Sequence, residues 1–535
     1  MTTEAPETEA EVQKPAQLFA PLPPPPPRFM ETRWSGPSYG GGPAAWGAAL
    51  AGGIATAVAL PLTKPGLGWL LIGIVIAAAV AHAARFGEKL ENRADRAARI
   101  GWTLLALALL SVGVFLNAYW LFYICVLGAI GCASLAVAGG HSVRAVIVAG
   151  AALPLATLRS IPWLAKGATA WQRTRDKTTT GGRTLWAIVV TIVLVVVFGA
   201  LLSSADAAFS KIVGNILPDL SADTFRRALL YTPIGMLVTA GAIFIVLAPP
   251  KLTGLEQPAR RTIGRIELML PLGALIVMFG GFVALQFRYL FRQEAPEGST
   301  FAEYAVSGFW QLVVVTLLTL LVIACASRWS AKETAQDRLV VRVMLGAVVV
   351  LSLIIVASAA FRMWLYMDDL GWTRERLFFG AVELYLGFVF LLVALAGIQL
   401  KAPWFPRAII ASFAGLLLAI AAVNPEAYIA ERNIARFEDR KDDPSYLKTF
   451  DLGYLQFQTS DAIDELMTLE EPYRSCALRR IIAQLDTQPD TWYSWNESRW
   501  HARKVIEDYG SRYRPDACAE WHKIRESSGS SSTSR

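Results

Sequence analysis

Between Trp102 and Ala138 the chain runs for 37 residues without one charged side chain. A helix that crosses a bilayer needs about 20 apolar residues, so this stretch is too long for one span and long enough for two. Asn117, with Tyr119 and Trp120, marks a tight hairpin between them. The same kind of run recurs along the chain. Eleven candidate spans can be read, at 44–60, 66–84, 102–119, 121–138, 184–202, 229–248, 266–287, 309–326, 343–361, 378–397 and 408–423. Composition agrees: 54% of residues are hydrophobic, only 17% are charged and the mean hydropathy is +0.42. Soluble domains carry about 25% charged residues. A soluble enzyme, a disordered chain and a fibrous repeat are excluded. The predicted class is all-α: a polytopic transmembrane helical bundle of about 11 spans with a small helical extracytoplasmic C-terminal domain.

The basic residues set the sides. The N-terminal tail and every second gap after it hold 25 Lys and Arg, while the alternate gaps up to 408 hold 9. Cytoplasmic loops collect Lys and Arg, which predicts a cytoplasmic N-terminus and an extracytoplasmic C-terminus. The net charge of +7 is thereby read as a topology signal, and no nucleic-acid partner is expected. The apolar segment 145–158 is short and contains Pro154, so it is read as re-entrant or interfacial. If it spanned, every later loop would change sides and the basic excess would fall outside.

Four parts follow. Residues 1–43 form a proline-rich cytoplasmic tail that is expected to be disordered, with polyproline II structure at 21–27. Residues 44–423 form the bundle. In the loop after Ser204, apolar Phe209, Ile212, Val213 and Ile216 recur at helical spacing, which suggests a helix on the outer interface. Residues 424–526 form the helical domain. Residues 424–535 contain 16 Lys and Arg against 20 Asp and Glu, too polar to span. Asn424-Pro425 reads as an N-cap with proline in the first turn. In the helix that follows, Tyr428, Ile429, Ala435 and Phe437 can face apolar material, with Glu431, Arg432 and Arg436 in water. The Ser-rich end 527–535 is expected to be disordered.

Cys476 and Cys518 lie in the C-terminal region, where an extracytoplasmic location permits a disulfide. Two unpaired buried thiols remain an alternative. A metal site using Cys518 and His522, one helical turn apart, is the weakest reading, and no metal or cofactor is assigned. No H-E-x-x-H, G-x-S-x-G or G-x-x-x-x-G-K-S/T pattern occurs, and no catalytic residue is assigned. The spans are almost free of ionisable groups. Glu383 is the exception, and its simplest reading is a pair with Arg376 or access to the interface.

The densest polar sequence falls between spans on the outer side. It comprises Gln286 and Tyr289 in QFRYLF, Glu303 and Tyr304 in TFAEY, and the segment 362–376 with Arg362, Tyr366, Asp369, Gly371 and Arg376. The last is read as a loop filling the 16-residue gap 362–377 between two spans, and Gly371 can supply a positive φ. Together with Glu383, Arg432 and Asn433 these residues make a candidate outer cap. Arg362, Arg376 and Arg432 are the natural partners for carboxylates near the bilayer edge.

These stretches also carry a resemblance. SADAAF (204–209), QFRYLF with AEYAVSGFWQL, RMWLYMDDLGWTRER (362–376), NPEAYIAERNIARF (424–437) and DLGYL (451–455) are similar, in this order, to motifs of the bacterial membrane-protein family catalogued as domain of unknown function 4173, close to the group numbered 4153. The likeness covers about half of the chain. Arg292-Gln293, Ala305-Val306 and Trp372 depart from the family pattern. The resemblance implies a polytopic inner-membrane protein and no reaction, substrate or cofactor. The functional expectation is a non-enzymatic scaffold, sensing or regulatory protein. Its partners would be the lipid bilayer and a periplasmic or envelope protein. The alternatives are a transporter of a small solute or lipid, and an outer-leaflet enzyme using carboxylates of the 362–376 segment.

Overall fold

The computed structural model describes residues 34–85, 93–140, 143–175, 222–251, 263–292, 309–330, 333–399, 402–443 and 450–530, with a few single positions besides. The expected proline-rich tail, the amphipathic piece after Ser204 and nearly all of the span at 184–202 lie outside these residues. Among the described residues the secondary structure is helical, without a strand. Nine of these helices are long and apolar enough to cross a membrane, and two shorter apolar helices accompany them.

A first group contains α1 (Pro43–Ala59), α2 (Leu67–Ala84), α3 (Arg93–Phe115), α4 (Tyr119–Ala138), α5 (Val143–Arg175) and α6 (Ala222–Leu247). Small residues set its closest crossing. A side chain added at Gly52 would strike Thr239, and one added at Gly235 would strike Thr56, so α1 and α6 notch into each other. Such contacts replace the hydrophobic effect as the cause of helix association in lipid. The opposite face of α1 and the loop after it leave Leu50, Ile54, Val58 and Leu62 exposed at four-residue spacing, a stripe suited to acyl chains. The α3–α4 turn falls at Asn117, where the sequence places it.

Helix α5 runs unbroken through Pro154 and Pro162, and by length and composition it could cross. Its contacts fall toward one end of its neighbours. Ser134 of α4 bonds to Ala149 and Leu153, Gly241 of α6 stands against Thr157, and the Trp163 ring lies 5.9 Å from Phe244. Trp163 Nε1 donates to the Tyr39 carbonyl, just before α1 begins. These partners sit within about two turns, roughly 9 Å, of one end of their own helices. Helix α5 therefore packs against that end of the bundle.

A second group contains α7 (Arg265–Arg292), α8 (Phe309–Trp329), α9 (Ala335–Leu370) and α10 (Arg374–Gln399). Leu268, Leu272, Ile323, Val341, Val348 and Phe390 form its core. Thr334 and Asp337 close a capping box at the start of α9, and Arg265 pairs with Asp337 there. Residues 362–376 are not the loop expected. Helix α9 continues to Leu370 and the turn is only Gly371–Thr373. The cause is packing: Met363 and Met367 extend the apolar face of α9 and are covered by Trp372 and Ile429. Helix α11 (Phe405–Val423) joins the groups, with Ala414 and Leu417 in the first core and the Tyr385 hydroxyl of α10 donating to the Ile409 carbonyl at 2.6 Å.

The chain then turns at Asn424, whose φ is +52° and whose side chain caps α12 (Pro425–Arg440). The C-terminal helices α13 (Leu452–Gln456), α14 (Ile463–Met467), α15 (Tyr473–Thr487), α16 (Glu497–Tyr509) and α17 (Ala517–Ser530) have their own core with α12, around Phe437, Leu466, Leu478 and Trp521. On α12 it is Ile434 that is buried, while Ala435 is exposed, a correction to the expected face. Residues 430, 434 and 437 share one face at helical spacing, and 435 lies about 100° off it. Cys476 and Cys518 are joined by a disulfide between α15 and α17.

Candidate functional site

The C-terminal helices sit on the end of the bundle opposite α5. Three polar contacts hold them there.

The first centres on Glu426 in the opening turn of α12, where a helix N-terminus favours an anion. Its carboxylate is fully buried. Arg374, at the start of α10, reaches both oxygens at 2.6 Å, in the bidentate arrangement that gives the strongest charge-assisted bonds. Trp120 Nε1, at the start of α4, donates to one oxygen at 3.0 Å and the Thr459 backbone N–H to the other at 3.2 Å. Arg374 also reaches the Phe457 carbonyl, and its backbone N–H donates to the Tyr454 hydroxyl at 2.8 Å. Glu426 thus accepts from both helix groups at once.

The second centres on Asn117 in the α3–α4 turn. Its backbone N–H donates to the two oxygens of Asp461 at 2.7 and 2.9 Å, and its side-chain N–H to Ser460 at 3.1 Å. Its side-chain oxygen accepts from Arg499 at 2.6 Å. Asn496 donates to the carbonyls of Gly113 and Leu116, at the C-terminus of α3, where carbonyls lack helical partners. Arg499 continues to the Pro65 carbonyl and to Asp490, which Lys64 also holds at 2.9 Å. Burial pushes the Asp461 carboxyl up to about 6, although hydrogen bonds from Asn117 and nearby hydroxyls pull the other way. At Asp490 burial also acts upward, but Lys64 and Arg499 outweigh it and hold the group below the usual carboxylate range.

The third is the turn at Gly371, where φ is +91°. The Trp372 backbone N–H donates to the Asn433 side-chain oxygen at 2.9 Å, and the Asn433 side-chain N–H returns to the Trp372 carbonyl at 2.8 Å. Arg436 bonds to the Asp369 carbonyl. Arg376 takes up the carbonyls of Leu370 and Gly371 and stacks 4.2 Å from the Tyr366 ring centroid.

Tyr366, Asp369, Gly371, Arg376, Arg432 and Asn433 therefore gather at one end. Arg432 is an outer member, 5.1 Å above the Tyr428 ring. Arg362 is buried within α9. Glu303 and Tyr304 lie outside the described residues, and for Tyr289 only its place on α7 is described. Glu383 is corrected: it neither meets Arg376 nor reaches the interface. It is fully buried about 14 Å along α10 from Arg374, with neither oxygen bonded among the described residues. Gln286 is likewise buried without a partner among them. Cys518 is engaged in the disulfide, and His501 pairs with Asp464. Among the described residues no group of three or more His, Cys, Asp and Glu could hold a metal.

Sequence reasoning missed the central members: Trp120, Glu426, Asp461, Asn496 and Arg499. The signals were present but weak. Asn117 marked a turn, Lys64 was the one cation in its gap, and Glu426 followed the Asn-Pro cap.

The apolar helices and the capped end define a multi-pass, all-α membrane protein. A family model described as a domain of unknown function (DUF4153) matches residues 104–469, about two thirds of the chain, and the chain belongs to that family. This is the group set beside the 4173 pattern above, and the match runs from α3 into the C-terminal helices. No curated protein and no solved structure matches the chain.

Proposed function

We propose that this is a membrane scaffold or regulatory protein of the bacterial inner membrane. In this reading residues 424–526 form an extracytoplasmic domain that clamps the two helix groups and presents its outer surface to an envelope protein. The observation that carries it is Glu426, which bonds Trp120 of one group and Arg374 of the other. A partner that binds the C-terminal domain would thereby act on the spacing of both groups. The basic residues of alternate loops support the orientation, and the Cys476–Cys518 disulfide fits an oxidising compartment.

The test is affinity recovery with mass spectrometry from gently solubilised membranes. A stoichiometric envelope protein, lost on Glu426→Ala while the variant stays in the membrane, supports the scaffold. A copurified solute or lipid with no protein partner contradicts it. Glu383 and Gln286 favour a second reading, a transporter, because polar groups inside spans usually mark a path. In that case Glu383→Gln should abolish solute movement in vesicles without releasing the C-terminal domain.

A further inference from the structure

Three tryptophans of the C-terminal helices lie open within nine residues: Trp492 is 58% exposed, Trp495 37% and Trp500 46%. They flank a segment that is firmly seated on the bundle. Tyr493 packs with Leu60 just after α1, Ile72 in the second turn of α2 and Tyr231 within α6, and the Arg227 guanidinium, which bonds to the carbonyls of Ala57, Val58 and Leu60, lies 4.4 Å from its ring centroid. The Leu67 backbone N–H donates to the Trp495 carbonyl at 2.9 Å, and Gly66 stands against the backbone of Ser494. The segment is therefore held at the level where α1 ends and α2 begins.

Two apolar surfaces lead up to it. One is the stripe Leu50, Ile54, Val58 and Leu62 of α1 and its following loop. The other is Leu229, Leu230 and Ile234 of α6, all exposed. In a membrane these face acyl chains, and the level above them is that of the headgroups. Indole rings favour that layer because the ring is apolar and its N–H is polar. A cation stands beside one of them: Lys504 Nζ lies 3.7 Å from the Trp500 ring centroid. We propose that residues 492–500 are an interfacial anchor. Trp492, Trp495 and Trp500 enter the phospholipid headgroup layer at the capped end, with Lys504 placed for lipid phosphates. The C-terminal helices then rest on lipid as well as on the bundle.

The test uses the full chain in phospholipid nanodiscs, with Cys125, Cys132 and Cys325 replaced by Ala. Nitroxide labels are placed at Trp492→Cys and Trp500→Cys. Glu470→Cys is the aqueous reference, since Glu470 is exposed beside Lys441 at the far end of α12. Relative to the reference, both anchor labels should gain several-fold in the ratio of oxygen to nickel-chelate collisions. Ratios equal to the reference would overturn the proposal, as water would surround the rings. Shielding from both reagents would also overturn it, since protein, such as a second copy, would cover them. If the thiol replacements disturb folding, quenching of wild-type fluorescence by brominated lipids serves instead. Trp492→Phe and Trp500→Phe should each remove a quenchable component, and an unchanged quenched fraction in both would refute the anchor.

Discussion

Two residues at the capped end have consequences that can be measured. Removing one partner of a buried ion pair leaves the other charge stranded, at a cost of about 3–5 kcal/mol. Arg374→Ala should therefore lower the thermal midpoint of the purified protein by several degrees. Lys523→Ala, exposed on α17 away from these contacts, should change it little. Equal small shifts would show that the Arg374–Glu426 pair holds nothing. Asp461 gives a pH dependence. Its carboxyl is raised to about 6 in the folded chain, chiefly by burial, against an unfolded value near 4. The folded state then binds the proton more readily. Its contribution to stability is full below about pH 4 and is lost as pH rises through about 6. Relative to Asp461→Asn, wild type should gain thermal stability between pH 7 and pH 5. Parallel curves for the two would contradict this. None of these roles was legible in the sequence, because a buried carboxylate and a surface carboxylate are written with the same letter. Glu426 and Asp461 acquire their meaning only when α4, α10 and the 457–461 segment meet.

At the scale of elements, the legible parts were those fixed by local periodicity. The α3–α4 hairpin was forced by 37 uncharged residues, and the start of α12 by Asn424-Pro425. The extension of α9 to Leu370 was not, because charged Arg362, Asp368 and Asp369 look like loop residues until α12 covers the methionine face beside them. Helix α5 shows the same limit, since its packing follows from partners at one end of α4 and α6. The disulfide joins two such elements, α15 and α17, across 42 residues. Closing a loop of that length stabilises by roughly 4 kcal/mol in the chain-entropy account. Reductant should loosen α17 first. Hydrogen exchange in the peptide containing Trp521 should then rise well before exchange in α12. Simultaneous opening of both would argue that the helices unfold as one unit irrespective of the disulfide.

For the whole molecule, orientation and docking decide the functional reading. In the proposed orientation the α6–α7 gap is cytoplasmic and the C-terminal helices lie outside. Reporter fusions after Arg265 and after Phe450 should report opposite sides, and cytoplasmic activity from both would break the parity. The docking itself is most directly tested on the unaltered chain in native membranes with a zero-length carbodiimide. Lys64, between α1 and α2, lies 2.9 Å from Asp490 in the C-terminal helices, 426 residues away. The account predicts an amide-linked peptide pair joining these two residues, recovered by mass spectrometry. Docking is contradicted if Lys64 couples only to carboxylates elsewhere, or if the 64–490 pair is absent while the Lys441–Glu438 pair within α12 and its C-cap is recovered.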